Sequence, residues 1–485
     1  LPVADALTGG SGHSMAPSSQ PGSPRHRLAA FARSLSYVTF GLFLVLLLGA
    51  NSIARSGGPL SWLPLWRLPA ATGELDAVGI VSLLPLLSVG SWWFGRANRP
   101  PGPAWSWGPA RIYIPVGLLG LLVCVNLVAQ CLGGLCPVGG LARVLLLLGL
   151  FAWVYLYVIN ERPSLVPIVS GILLLQAAVA VGQFVLQRDL GLRFLGELAL
   201  DPEQPGVSVV MNEGARWLRG YGLTIHPNVA ARTLVSGLMM LVVLRGEARG
   251  HWRWVWWLAA GGGLLGLLVT LSRWAWVCLA LGLAIAAWPA VRGLARTGID
   301  WRRSRALPVA MAFVASLLLF GLLYGGTITG RLFGTESAIE SRSIWERQRD
   351  LSIAVRLVAA EPLSGVGFGR YLALARALDP WAELVHNVPL LLAAELGLLG
   401  FFGWLLLLVA PVARPGAFAG RAAQTGLWVA FWCLGLLYLQ PHLFTELRSM
   451  LLAGLAAGLV ALPPALESQQ QSPPPVAGPS AVGYH

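Results

Sequence analysis

The chain reads as an all-α polytopic membrane protein with about twelve transmembrane helices and a large helical extracytoplasmic loop. Three observations lead there. Hydrophobic residues make up 56% of 485 positions, charged residues only 11%, and mean hydropathy is +0.68. Apolar runs near twenty residues recur along the chain, long enough to cross a bilayer core as helices. The runs are continuous and lack the alternation of a barrel, and in lipid a helix satisfies its own backbone hydrogen bonds.

Hydropathy places the spans at 35–53, 75–95, 112–131, 141–159, 164–186, 229–245, 254–271, 274–291, 306–325, 387–410, 424–440 and 446–462. Residues 1–34 and 463–485 are rich in Gly, Ser and Pro, or in Gln and Pro, and read as disordered cytoplasmic tails. The short loops 96–111, 245–253, 292–305 and 413–421 are rich in arginine. With the N-terminus inside, all four fall on the cytoplasmic face. The net charge of +13 then reports topology. A basic soluble face for nucleic acid is missing, so no nucleic-acid partner is expected. Cys131 and Cys136, in CLGGLC, lie on the outer side and either form a disulfide there or pack as small apolar residues. Cys124, Cys278 and Cys433 fall within spans.

Two longer loops, 187–228 and 326–386, share the outer face. Loops of this length are usually functional. The second holds SRSIWERQRDLSIAVRLVAA, which reads as an amphipathic helix with Ile344, Leu351, Val355 and Val358 on its apolar face and Arg342, Arg349 and Arg356 on another. Pro362 ends it, and GVGFGR follows as a flexible turn.

The candidate chemistry is polar and external. The first loop offers Arg216, Arg219 and His226; the second offers Arg342, Arg347, Arg370 and His386. Arg273, in TLSRWAWV, sits at the outer junction of two spans, where topology gives arginine no role. Guanidinium forks match phosphate oxygens and stay charged. The alternative for each arginine is a structural pair with an acid such as Glu213, Glu340, Glu346 or Glu383. A histidine at a span entry can take a proton near neutral pH, or simply cap its helix; His386 is the stronger candidate base. No external Asp-x-Asp pair exists, Asp201 and Glu203 coming closest, which argues against a carboxylate-bound divalent cation on the outer face; no metal or other cofactor is expected.

Four stretches in order, RGYGLTIHPN (219–228), LSRWAW (271–276), SRSIWERQRD to PLSGVGFGRY (341–371) and HNVPLLLAAELGLLG (386–400), make the chain similar to the O-antigen ligase and polymerase superfamily of bacterial membrane glycosyltransferases. The resemblance covers 35–462. It implies a GT-C-like, metal-independent, inverting transferase at the outer face of the inner (plasma) membrane. It implies a glycan donor on undecaprenyl pyrophosphate and a lipid A-core or other glycan acceptor, with membrane lipids around it. It maps the family's functional arginines onto Arg219 and Arg273 and its loop histidine onto His386; Arg342 and Arg347 match its loop arginines less closely. Replacing Arg219 or Arg273 by Ala is expected to abolish transfer without preventing insertion. The polymerase, a protein O-oligosaccharyltransferase and cell-wall glycopolymer attachment share the scaffold. A transporter fits the span count, but no repeat between halves is evident.

Overall fold

The computed structural model describes residues 24–49, 83–98, 105–135, 138–212, 214–297, 306–333, 338–437, 444 and 446–463. These fold as fifteen α-helices: α1 (Pro24–Gly49), α2 (Leu83–Ala97), α3 (Ala110–Leu132), α4 (Val138–Glu161), α5 (Leu165–Leu186), α6 (Pro227–Leu244), α7 (Trp252–Val269), α8 (Arg273–Thr297), α9 (Leu307–Leu323), α10 (Gly325–Phe333), α11 (Ala338–Ala360), α12 (Tyr371–Leu378), α13 (Val388–Val409), α14 (Ala422–Cys433) and α15 (Leu447–Ala461). The two described strands, β1 (Val209–Asn212) and β2 (Ala215–Leu218), pair antiparallel as one small hairpin. Among the described residues, seven helices are long and apolar enough to cross a membrane: α1, α3, α4, α5, α6, α8 and α13. Three further apolar helices, starting at Leu307, Ala422 and Leu447, are shorter. Each hydropathy run overlaps a helix, although residues 50–53, 75–82 and 438–440 of those runs lie outside the described residues.

Sequence signals set the helix ends. Pro227 and Pro389 lie in the first turns of α6 and α13, where the missing N–H costs nothing. Asn387 caps α13, its side chain accepting from Leu390 N at 2.8 Å. The first tail is shorter than expected: residues 24–34 already belong to α1. Residues 1–23 and 464–485 lie outside the described residues.

Helices close on one another at small residues, which let backbones approach in an apolar medium. A Cβ on Gly266 of α7 would stand 2.8 Å from Ala177 of α5. On Gly426 of α14 it would stand 2.3 Å from the Gly282 carbonyl of α8. Gly454 and Gly458 of α15 sit against Val154 and Val158 of α4.

The long loops are built, not slack. Alpha-helix α11 forms where expected, but its buried face differs. Asp350, Ile353, Ala354 and Leu357 are buried, while Ile344, Leu351 and Val355 are exposed. The helix carries two apolar stripes, and the one that packs carries Asp350, which accepts from Glu383 N at 3.3 Å and, through its carbonyl, from Tyr371 at 3.2 Å.

The GVGFGR segment is no flexible turn. Helix α13 breaks at Gly397 (φ 71°, ψ −167°). The carbonyls that the break releases accept from the glycine segment: Val366 N to Ala394 O at 2.8 Å and Gly367 N to Glu395 O at 3.0 Å. Leu398 N returns a bond to Pro362 O at 2.8 Å. A broken helix among apolar neighbours persists only when protein satisfies its backbone. Beyond the break, Phe368 is held by α3, its N–H donating to Asn126 Oδ1 at 2.8 Å and its carbonyl accepting from Gln130 Nε2 at 3.2 Å. Cys131, at that same end of α3, is disulfide-bonded; Cys136 lies outside the described residues.

Candidate functional site

The stretch LRGYGLTIHPN runs into the bundle as irregular backbone. Tyr221, Gly222, Leu223 and Thr224 are buried. Two buried glutamines of α5, seven residues apart, hold it. Gln183 accepts from Tyr221 N at 3.0 Å and donates to Gly222 O at 3.1 Å. Gln176 accepts from Leu223 N at 3.0 Å. Gly222 has φ +58°, and a Cβ there would meet Gln176 Oε1 at 2.3 Å; only glycine fits.

Arg219 is buried, with 4% exposure, and its guanidinium is a tie. Nε donates to Thr270 O at 2.7 Å, Nη1 to Ser208 Oγ at 2.9 Å and Nη2 to Asn228 Oδ1 at 3.0 Å. It therefore joins the first loop, the start of α6 and the turn between α7 and α8. Gly220 N adds a bond to Val269 O at 2.9 Å in the same turn. That turn requires buried Leu271 at φ 49°, a left-handed conformation that costs a non-glycine residue roughly 1–2 kcal/mol. The strain sets the start of α8, and Arg273 is its first helical residue. Substitution Arg219→Lys should lower stability by about 2 kcal/mol or more, because lysine cannot reach three separate acceptors. The melting temperature in detergent checks this, and an unchanged value would exclude the tie.

His386 immediately precedes α13, and Arg273 opens α8. Both helix starts are fastened to one 3-10 turn, Leu434–Leu437, and the residue before it. Trp274 Nε1 donates to Cys433 O at 2.8 Å, and Asn387 Nδ2 donates to Leu436 O at 3.1 Å. This segment couples the two sequence candidates that lie 113 positions apart (386 − 273).

Alpha-helix α11 covers the His386 side. Asp350 Oδ1 accepts from Arg349 Nη2 at 2.8 Å and from Glu383 N at 3.3 Å, three residues before His386. Buried Tyr371 donates to Asp350 O at 3.2 Å. The half-buried His386 imidazole has its Nδ1 3.0 Å from Leu384 O. A carbonyl only accepts, so Nδ1 carries the hydrogen and Nε2 the basic lone pair. Burial, then the positive charge of Arg347, pushes the imidazole down to about 4, against partial relief from the Leu384 bond and from Asp350 and Glu346. At neutral pH the ring is uncharged.

The remaining candidates separate. Arg347 is exposed on α11 and within electrostatic reach of His386. Arg370 caps α12 at the end of the glycine segment. Among the described residues neither forms an ion pair. Arg342 is exposed and pairs with Glu346 at 2.8 Å, one turn along. Arg216 donates to Pro202 O and lies 3.9 Å from Glu203. His226 caps α6, Nδ1 accepting from Asn228 N at 3.1 Å; its role is to start that helix. Arg342, Arg216 and His226 thus have local structural partners, whereas Arg273, His386 and Arg347 sit on the elements that converge.

No protein-family model matches the chain, and no curated protein matches it.

Sequence reasoning missed several polar residues inside the helices. Gln176 and Gln183 lay within an apolar run, and their spacing of seven was the available signal. Arg232 of α6 and Glu446 and Ser449 at the start of α15 form a network, with buried Arg448 beside it. An arginine one turn inside a span was its signal. Among the described residues, no three His, Cys, Asp or Glu side chains converge as metal ligands.

Proposed function

We propose that the protein is a membrane glycosyltransferase of the O-antigen ligase type, on a GT-C-like scaffold of twelve spans in the bacterial inner membrane. Its site faces away from the cytoplasm, and both termini are cytoplasmic. The observation that carries this reading is the shared anchoring of the helix starts at Arg273 and His386, through Trp274 and Asn387, on the 433–437 segment, under a helix whose Arg347 acts electrostatically on the imidazole. A fixed cation and a neutral imidazole on one side of an apolar bundle suit displacement of an anionic leaving group. The disulfide at Cys131, on the end of α3 that holds Phe368, agrees with an oxidising side for the second loop.

In this reading the acceptor hydroxyl oxygen attacks the anomeric carbon of a glycan on undecaprenyl pyrophosphate. The bond from that carbon to the pyrophosphate oxygen breaks, and the configuration inverts. Arg273, with Arg347 and Arg370 from the second loop, stabilises the charge that develops on the pyrophosphate. Arg219 holds the turn that presents Arg273 and adds its own fixed charge. His386 Nε2 receives the hydroxyl hydrogen and orients the oxygen. The acceptor is the lipid A-core.

The low basicity of His386 gives a pH prediction. The imidazole stays neutral down to about pH 4 rather than 6.5, so the acid limb of kcat/KM lies near pH 4. The unfolded chain binds this proton more readily between those values, so stability falls as pH drops through the same window. A pH–rate profile that bends near 6.5 would assign the base elsewhere.

The test of the activity uses purified full-length protein, undecaprenyl-pyrophosphate glycan and EDTA. One tube receives lipid A-core and another receives donor alone, and products are resolved on a gel. A shifted lipid A-core band supports ligation. A ladder from donor alone replaces the ligase with a polymerase. No product in either tube rejects this donor and acceptor pair.

A further inference from the structure

A second cationic site lies inside the bundle, on residues that the transferase reading does not use. Arg232 and Arg448 are 0% and 1% exposed. Glu446, the N-cap of α15, answers Arg232: Nη2 lies 2.7 Å from Oε2 and 2.9 Å from Oε1. Arg232 Nη1 donates to Ser449 Oγ at 2.7 Å, and Ser449 donates back to Glu446. This pair is complete. Arg448 is not part of it. Its one bond is a long one, Nη2 to Leu47 O at 3.4 Å, and among the described residues its Nε and Nη1 have no partner. The Nε of Arg232 has none either. Half-buried Arg143 of α4 also senses Glu446, as does Arg448. Three arginines thus act electrostatically on this one carboxylate, and the N–H groups of Arg232 and Arg448 left over among the described residues are the Nε of Arg232 and the Nε and Nη1 of Arg448.

A buried guanidinium does not shed its proton. Left unpartnered, it is a heavy cost to the fold. Unpaired N–H edges from two arginines form the donor set that a phosphate group accepts. The first turn of α15 adds its own N–H groups and the positive end of its dipole at the same place. Arg143 is only half-buried, on α4, a helix long enough to span, whose Leu145 and Leu146 are exposed.

We propose that Arg143, Arg232 and Arg448 form a phosphate-binding site, separate from the Arg273–His386 site, that takes the phosphate of an anionic lipid headgroup entering beside α4. The same chemistry would accept a free phosphate or pyrophosphate, and the experiment distinguishes these sources.

Full-length protein purified in neutral, phosphate-free detergent is melted with phosphatidylglycerol, with phosphatidylcholine and with sodium pyrophosphate. Phosphatidylglycerol should raise the wild-type melting temperature, and phosphatidylcholine should not. In Arg448→Met and Arg143→Gln the apparent affinity should weaken about tenfold or more; Arg273→Ala should keep the full shift. A second readout excludes a purely structural arginine: without any anion, Arg448→Met should melt no lower than wild type. If Arg448→Met does not accumulate, Arg143→Gln on the exposed flank carries the test. A pyrophosphate shift with the same variant losses, and no lipid shift, assigns the site to a soluble anion. No anion shift in the wild type, or equal shifts in wild type and Arg143→Gln, overturns the proposal.

Discussion

The variant Arg273→Ala should lose transfer by about a hundred- to a thousandfold, the cost of removing one pre-set donor from a developing anion. His386→Ala should lose about a hundred- to ten-thousandfold. Both variants should insert and melt close to wild type. Arg273 and His386 are half-buried at helix starts, whereas Arg219 is buried and spends its guanidinium on three in-chain acceptors. This contrast distinguishes the two arginines that the sequence made equivalent. Arg219→Ala should fail through stability, and Arg273→Ala through turnover. The double variant Arg273→Ala with His386→Ala should lose little more than the worse single one, because groups acting on one transition state are not additive. The measurement is transfer rate on undecaprenyl-pyrophosphate glycan beside a melting curve for each variant. Normal products from Arg273→Ala would falsify the assignment of the leaving-group site.

What was legible in the sequence was local. Pro227 and Pro389 mark helix starts wherever they occur, so α6 and α13 began within two residues of expectation. Long apolar runs became helices because length and hydropathy are properties of the run itself. The face of α11 was not legible. Ile344, Leu351 and Val355 make a sound apolar stripe, but so do Ile353, Ala354 and Leu357. The choice between them rests on what the helix meets: Glu383 N and the Tyr371 hydroxyl bind Asp350 on the face that docks. The site shows the same division. Arg273 stood out because an arginine between two apolar spans has no topological role. That its helix start shares an anchor with His386, through Cys433 and Leu436, is a long-range fact of the fold. In the expected topology Arg448 stands at the outer end of the last run, where arginine has no topological role either; what hid it is that its neighbours, Leu47 and Arg232, are distant in sequence.

The glycine segment makes the second large prediction, and it concerns backbone alone. Gly397 holds φ 71° and ψ −167°, a region open in practice only to glycine. A Cβ there would stand 2.1 Å from Leu363 O and 2.4 Å from Leu363 C. Gly365, at φ +67°, is its mirror: a Cβ would stand 2.3 Å from Glu395 C and 2.4 Å from Leu396 N. In both cases the obstacle is main chain, which cannot rotate away as a side chain can. Gly369 is the control. It has φ +76°, but nothing lies within 4 Å of its Cβ position, so Gly369→Ala costs only the left-handed conformation, roughly 1–2 kcal/mol. Gly397→Ala and Gly365→Ala should each cost about 4 kcal/mol or more, the range where a named backbone clash is required. Melting temperatures in detergent should therefore fall far more for these two than for Gly369→Ala. Function follows the same joint. The break fixes the half of α13 that follows His386, and the glycine segment delivers Arg370 after Phe368 has docked on Asn126 and Gln130. A variant that opens the joint frees both loop contributions at once. Any Gly397→Ala protein that survives purification should thus transfer slowly with Arg273 intact. Equal melting of Gly397→Ala and Gly369→Ala would show instead that α13 runs through Gly397 unbroken.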